Sequence, residues 1–190
     1  MKKAFIIAAL VIVSFANAQK GSVLVAGNVG FASTKQGDYK VSSFEFNPKV
    51  GYQFSDNSTV GIELGIGNLT QTMNNSIYER TDSTFKLGAF LRYSQPLAGI
   101  FSVYGDFGLG MQSAKISTNV PGDGVSRFDG IYIGVVPAIA IDMKKGFCLN
   151  FSFGGLGYDS MKEDFNGAEA ENNFNLNFGK QANIGISKNF

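Results

Sequence analysis

Histidine and tryptophan are absent from this chain, and cysteine occurs once, as Cys148. Without His, neither a Ser/His nor an Asp/His proton relay can be assembled, so catalysis is not expected. The same absence, with a single thiol, removes the common ligand sets of a metal centre, and no cofactor is expected. One Cys also allows no internal disulfide, so an exported form would rest on its own backbone pairing. Proline is scarce, with four residues, which suits long strands because each proline removes a ladder donor. An excess of one charge is lacking too: 16 Lys and Arg stand against 15 Asp and Glu. No basic field is therefore available for nucleic acid.

The one long apolar run is at the start. Lys2 and Lys3 precede apolar residues 4–13, and Ala16-Asn17-Ala18 follows. A basic segment, a short apolar segment and an A-x-A site predict a signal peptide over residues 1–18, removed after Ala18. The alternative, a membrane-anchoring helix, needs about 20 apolar residues. Residues 19–190 are then one domain, and loss of the two leader lysines takes the formal charge from +1 to −1.

What is abundant is glycine and phenylalanine, 24 and 18 residues, and they alternate. In residues 174–190, Phe174, Leu176, Phe178, Ala182, Ile184, Ile186 and Phe190 share one parity, while Asn175, Asn177, Gly179, Asn183 and Gly185 take the other. Successive side chains of a strand point to opposite faces, so this pattern predicts a strand with one apolar and one wet face. Seven earlier segments alternate likewise, among them Phe44-Phe46-Val50-Tyr52-Phe54, Val60-Ile62-Leu64-Ile66 and Phe85-Leu87-Ala89-Leu91-Tyr93. No segment after the leader keeps a helical period.

Between the eight predicted strands lie connections that alternate in length. Short turns are expected at 55–58, 94–99 and 142–146, and longer polar loops at 68–83, 112–127 and 157–173. Soluble sandwiches show no such alternation; membrane-spanning barrels do. Pro48 and Pro137 fall inside strands and predict local bulges. Lys180 has outward parity and is expected near the outer headgroups, where a lysine can snorkel.

Alternation alone fits a lipocalin, with an apolar lumen, as well as a membrane barrel. Glycines decide between them. Gly51, Gly61, Gly65, Gly88, Gly108, Gly110 and Gly134 lie on the polar face, where small residues fit the crowded interior of a narrow barrel but would only weaken a solvated exterior. Aromatics gather towards strand ends, as in two interfacial girdles. The fold class is therefore all-β, an eight-stranded antiparallel up-and-down transmembrane β-barrel.

On its leader, strand count, loop alternation and Phe190, the chain resembles the small OmpA/OmpX-type eight-stranded outer-membrane barrels. That resemblance implies a Gram-negative outer membrane with its lipid and lipopolysaccharide, assembly by the barrel assembly machinery, and a monomer. It also implies a final-strand assembly signal of polar, any, Gly, two of any, hydrophobic, any, aromatic. Asn183, Gly185 and Phe190 fit that signal; Lys188 stands at the usual hydrophobic place.

Two groups of residues are candidates for function. Glu45, Lys49, Glu63, Lys86, Arg92 and Asp106 have inward parity; unpaired charges in a narrow lumen are costly, so they are expected to pair across strands as a polar plug. The alternative is a narrow gated path for ions or small solutes in which the pairs exchange partners. Asp159, Glu163, Asp164, Glu169 and Glu171 make the last loop acidic, a solvated loop or else a site for a divalent cation or surface partner. Cys148 has inward parity, as a small filler. The functional expectation is a structural or surface-interaction protein acting through its external loops.

Overall fold

The computed structural model describes residues 21–73, 78–120, 122, 124–165 and 167–190, less the side chains of 180–182. The leader and the expected placement of Lys180 lie outside the described residues. Those described form eight strands: β1 (Val23–Gln36), β2 (Tyr39–Gln53), β3 (Ser58–Met73), β4 (Tyr78–Ala98), β5 (Phe101–Thr118), β6 (Ser126–Asp142), β7 (Phe147–Glu163) and β8 (Ala170–Asn189). Each pairs antiparallel with the next, and β8 returns to β1, closing a barrel.

The period-two pattern becomes two faces. Val50, Ile62, Leu64, Ile66, Leu109, Ile131, Ile133 and Leu176 point outward and are exposed, as an apolar belt facing lipid would require. The buried hydrophobic residues Leu24, Phe90, Tyr104, Ala138 and Ala140 instead fill the lumen near the end that carries Phe190.

The polar connections are not loops for most of their length. β3 and β4 pair continuously from Ser58↔Tyr93 to Met73↔Tyr78, and β5 and β6 remain paired out to Ile116↔Ser126. The first hairpin turns within residues 37–38. The predicted long loops are therefore hairpins that continue as strand beyond the belt. Both faces meet water there, so the apolar alternation fades while the backbone ladder persists.

The prolines behave differently from each other. Pro137 lies in a register shift between Val135 and Ala138 of β6 against β7, as expected. Pro48 makes no bulge: pairing with β3 lapses at residues 47–48, but the register resumes unchanged from Phe46↔Ile66 to Lys49↔Glu63. Gly27 faces Pro48 across β1, where a Cβ would come within 3.0 Å of the Asn47 carbonyl oxygen and 3.2 Å of the Pro48 Cα. The absent side chain lets the two backbones lie close together there.

The seam that closes the barrel is short. Residues 24–27 pair with 186–189, and Val23 and Phe190 exchange backbone hydrogen bonds of 3.1 and 3.0 Å. Closure of an even-stranded barrel would be expected to pair residues 22–30 with 181–189, but among the described residues the ladder stops at Gly27↔Ile186. On its other side β8 holds four residues, 179–182, opposite the single Phe153, between Ser152↔Asn183 and Gly154↔Phe178. The seam ends three residues short of that excess: residues 183–185 still pair with β7 but not with β1.

Candidate functional site in the lumen

Register brings the inward charges together. Lys49 and Glu63 are direct neighbours across β2 and β3, and their charged groups meet at 2.7 Å. Arg92 and Asp106 are direct neighbours across β4 and β5. Arg92 donates from Nε to Asp106 Oδ1 at 2.7 Å and from its terminal nitrogen to Oδ2 at 2.9 Å, a two-pronged bond. Lys49 Nζ also donates to Asp106 Oδ2 at 3.1 Å, tying the pairs into one network across the lumen. Arg92 and Asp106 are only 7% and 5% exposed, so the network lies in a tightly packed part of the interior.

Aromatic side chains line this network, and the parity reading did not assign them a role. The Arg92 guanidinium lies 3.8 Å from the Tyr104 ring centroid, and Lys49 Nζ lies 5.2 Å from that of Phe90; both are cation–π distances. Tyr132 donates its hydroxyl to Glu63 Oε1 at 2.8 Å. The available signal was that Phe90, Tyr104 and Tyr132 are the large rings on a face otherwise rich in glycine. Gly88 makes room for the Tyr132 phenol, whose oxygen a Cβ at that position would strike.

The other two inward charges do not join. Glu45 is exposed, between Gly30 and Gly67 on its neighbouring strands, and no ion pair forms there among the described residues. Lys86 lies 5.3 Å from the Tyr132 ring centroid and has no carboxylate within 4.0 Å among the described residues. Beyond the belt, Arg80 and Asp82 pair at 2.8 Å, and this bond holds the Arg80 pKa above its ordinary value.

Beside the network is a cavity of about 460 Å³, lined by residues that include Asn47, Lys86, Tyr132, Asn150, Asp159 and Asn175. Asn150 donates to Ser187 Oγ at 2.9 Å, while its own Oδ1 is buried without a partner among the described residues.

The five acidic residues of the expected last loop are dispersed. Asp159 and Glu163 belong to β7 and Glu171 to β8, leaving Asp164 and Glu169 in the connection. Asp159 lines the lumen cavity, and Glu171 accepts a 3.4 Å hydrogen bond from Asn173. Among the described residues no three Asp, Glu or Cys side chains converge as a metal ion requires, so the divalent-cation alternative has no geometry behind it. Cys148 is half-buried and packs against Tyr104, Ala138 and Ala140.

At the barrel's end, Asn183 is exposed, Gly185 lies beside β1, and Phe190 bonds Val23. Lys188 Nζ lies 4.3 Å from the Phe190 ring centroid, so the lysine in the hydrophobic place of the assembly signal lies against the aromatic.

The family model for the outer membrane protein beta-barrel domain matches residues 5–190. The chain belongs to that family. It is an outer-membrane β-barrel with the eight-stranded fold of the OmpA/OmpX type, and its apolar belt forms the barrel's outer face. Among solved structures, the barrel is similar to Ail, the attachment invasion locus protein of Yersinia pestis, crystallised with the heparin analogue sucrose octasulfate. That likeness has a TM-score of 0.51 at 13% identity, over 90% of this chain and 100% of the other. OprG from Pseudomonas aeruginosa aligns with a TM-score of 0.49 at 14% identity, over 90% and 97%. The N-terminal barrel domain of OprF from the same organism gives 0.46 at 14%, over 90% and 98%. At 13% identity the likeness to Ail shows the fold alone. Among curated protein sequences none matches the chain.

Proposed function

We propose that this outer-membrane barrel is a structural or surface-interaction protein without enzymatic activity, acting through its four external hairpins while its lumen stays closed. The observation that carries this reading is the bonded set Lys49–Glu63, Lys49–Asp106 and Arg92–Asp106 crossing the interior. An eight-stranded barrel is only wide enough for its own side chains, and here those side chains are bonded to one another. Export through a leader cleaved after Ala18, insertion by the barrel assembly machinery and a monomeric state in lipid and lipopolysaccharide belong to the same proposal. The β7–β8 hairpin, with exposed Asp164, Glu169 and Glu171 at its outer end, supports a surface partner at that hairpin.

The second reading is a narrow gated pore. Lys49 supports it, because one ammonium is shared by two carboxylates and could pass from one to the other. Planar-bilayer recording separates the two. Silence at all voltages is the expected result, and stable unitary conductance steps would replace the closed-lumen reading with the pore.

A further inference from the structure

β1 and β8 are joined only near the end that carries Phe190. Beyond Gly27↔Ile186 the described residues form no further β1–β8 pairs, yet β1 runs on to Gln36 and β8 reaches back to Ala170. The outward side chains on these two edges are unusually bare. Val29, Phe31, Phe174, Leu176 and Phe178, between 67% and 76% exposed, are the most exposed large hydrophobic residues among those described. Ile62 and Leu109, on fully paired strands of the same belt, are 58% and 59% exposed. No strand covers the five from the seam side, as a slit between β1 and β8 requires. Behind the slit lies the lumen cavity. Asn28 of β1 and Asn175, Asn177 and Asn183 of β8 line it from the two edges, and Asn47, the cross-strand neighbour of Asn28, lines it as well.

Unpaired backbone groups at the depth of the belt are costly in a bilayer, and a hydrocarbon chain in the slit offers their N–H and C=O groups nothing. A hydroxyl both donates and accepts, which suits the two backbone edges and the carboxamides behind them. We propose that the slit is a side entrance for an amphiphile with an uncharged, hydroxylated head, of the monoacylglycerol kind. The head enters the cavity among the asparagines. The acyl chain stays outside, against Phe31, Leu176 and Phe178. A cavity of about 460 Å³ is within the usual range for small-molecule sites, roughly 300–1,000 Å³. A second copy of the chain could also pair these edges by adding a strand, but it would leave the cavity behind them unfilled; the asparagines lining that cavity from both edges favour the amphiphile. Entry from the side needs no path through the bonded network, so the proposal stands whether or not bilayer recordings are silent.

The test uses the full barrel in phosphatidylcholine nanodiscs, with NMR signals of the Asn28, Asn175 and Asn177 side-chain amides followed as monolauroylglycerol is added. Two probes divide that molecule. Methyl laurate keeps the chain and the ester but lacks both hydroxyls, and glycerol keeps hydroxyls but lacks the chain. Monolauroylglycerol should give saturable shifts at all three asparagines. Methyl laurate at the same mole fraction in lipid should bind at least about tenfold more weakly, the loss of one or two neutral hydrogen bonds, and glycerol should give no saturable shift. Asn175→Ala with Asn177→Ala should weaken monolauroylglycerol by a similar factor while the circular dichroism spectrum stays that of the parent. No saturable shift with monolauroylglycerol would overturn the proposal. Equal binding of methyl laurate would overturn it by showing adhesion of the chain alone, and equal binding of glycerol by showing a site reached from water. A dimer that protects the Val29 and Phe31 amides without amphiphile would assign the edges to a second copy and overturn it too. The probe comparison uses the unaltered chain and stands even if the variant fails to fold.

Discussion

Replacing Asp106 with Asn should be among the most destabilising conservative changes in the lumen. The side chain keeps its shape but loses its charge and one of two acceptors, while Arg92 Nε, the Arg92 terminal nitrogen and Lys49 Nζ all donate to it now. Lys49 retains Glu63 at 2.7 Å, so the loss falls mainly on Arg92, which is 7% exposed. Breaking one partner of a buried ion pair costs about 3–5 kcal/mol. Because both residues also line the cavity, water can reach part of the orphaned guanidinium, and the low end, about 3 kcal/mol, is expected. That is roughly two powers of ten in the folding equilibrium. Glu63→Gln should cost less, about 1 kcal/mol, because Lys49 keeps Asp106 and the new amide still accepts from Tyr132. Without Trp in the chain, unfolding is best followed by far-UV circular dichroism across a urea titration in lipid vesicles. The double replacement Arg92→Met with Asp106→Leu should recover most of the loss, since an apolar pair leaves no orphaned charge. An Asp106→Asn midpoint equal to the parent's, or a double variant as unstable as the single one, would refute the account of the network.

Three other outcomes are expected. Alternate amides of β1 point towards β8, so those of Val29 and Phe31, beyond the short seam, should exchange with deuterium faster than those of Val25 and Gly27; equal protection would mean the seam continues upward. Gly61→Ala should destabilise by about 1–3 kcal/mol in the same urea assay, because the new methyl strikes the Val50 carbonyl oxygen and comes within 2.7 Å of the Phe90 ring; an unchanged midpoint would contradict that packing. Deleting Phe190 should slow insertion into vesicles more than it lowers the urea midpoint, since the 24–27 ladder survives it; an insertion half-time equal to the parent's would count against an assembly role.

Residues 44–54 show how much of this barrel is legible in sequence. Phe44, Phe46, Val50 and Tyr52 alternate with Glu45, Asn47, Lys49 and Gly51; a strand places such a pattern on two opposite faces, and the glycines on the polar one mark it as the inward face of a narrow barrel. The strand count and the inward set of charges follow from the same local rule. It stops where local chemistry stops differing between faces. Residues 68–73 and 78–83 are mostly polar, Leu69 and Met73 apart, and keep no apolar alternation, so only their continuous pairing identifies them as strand. Partners across the lumen were equally hidden. Parity placed Glu45, Lys49, Lys86 and Asp106 on one face, but strand stagger and barrel curvature decide that Lys49 reaches Asp106 while Glu45 and Lys86 reach no opposite charge among the described residues. Pro48 makes the same point: it makes no bulge, and the residue that faces it, Gly27, stands 21 positions earlier in the chain. Side-chain alternation is local to one strand, so sequence alone determined the faces; pairing in space joins residues far apart, so only the closed barrel decided which of them meet.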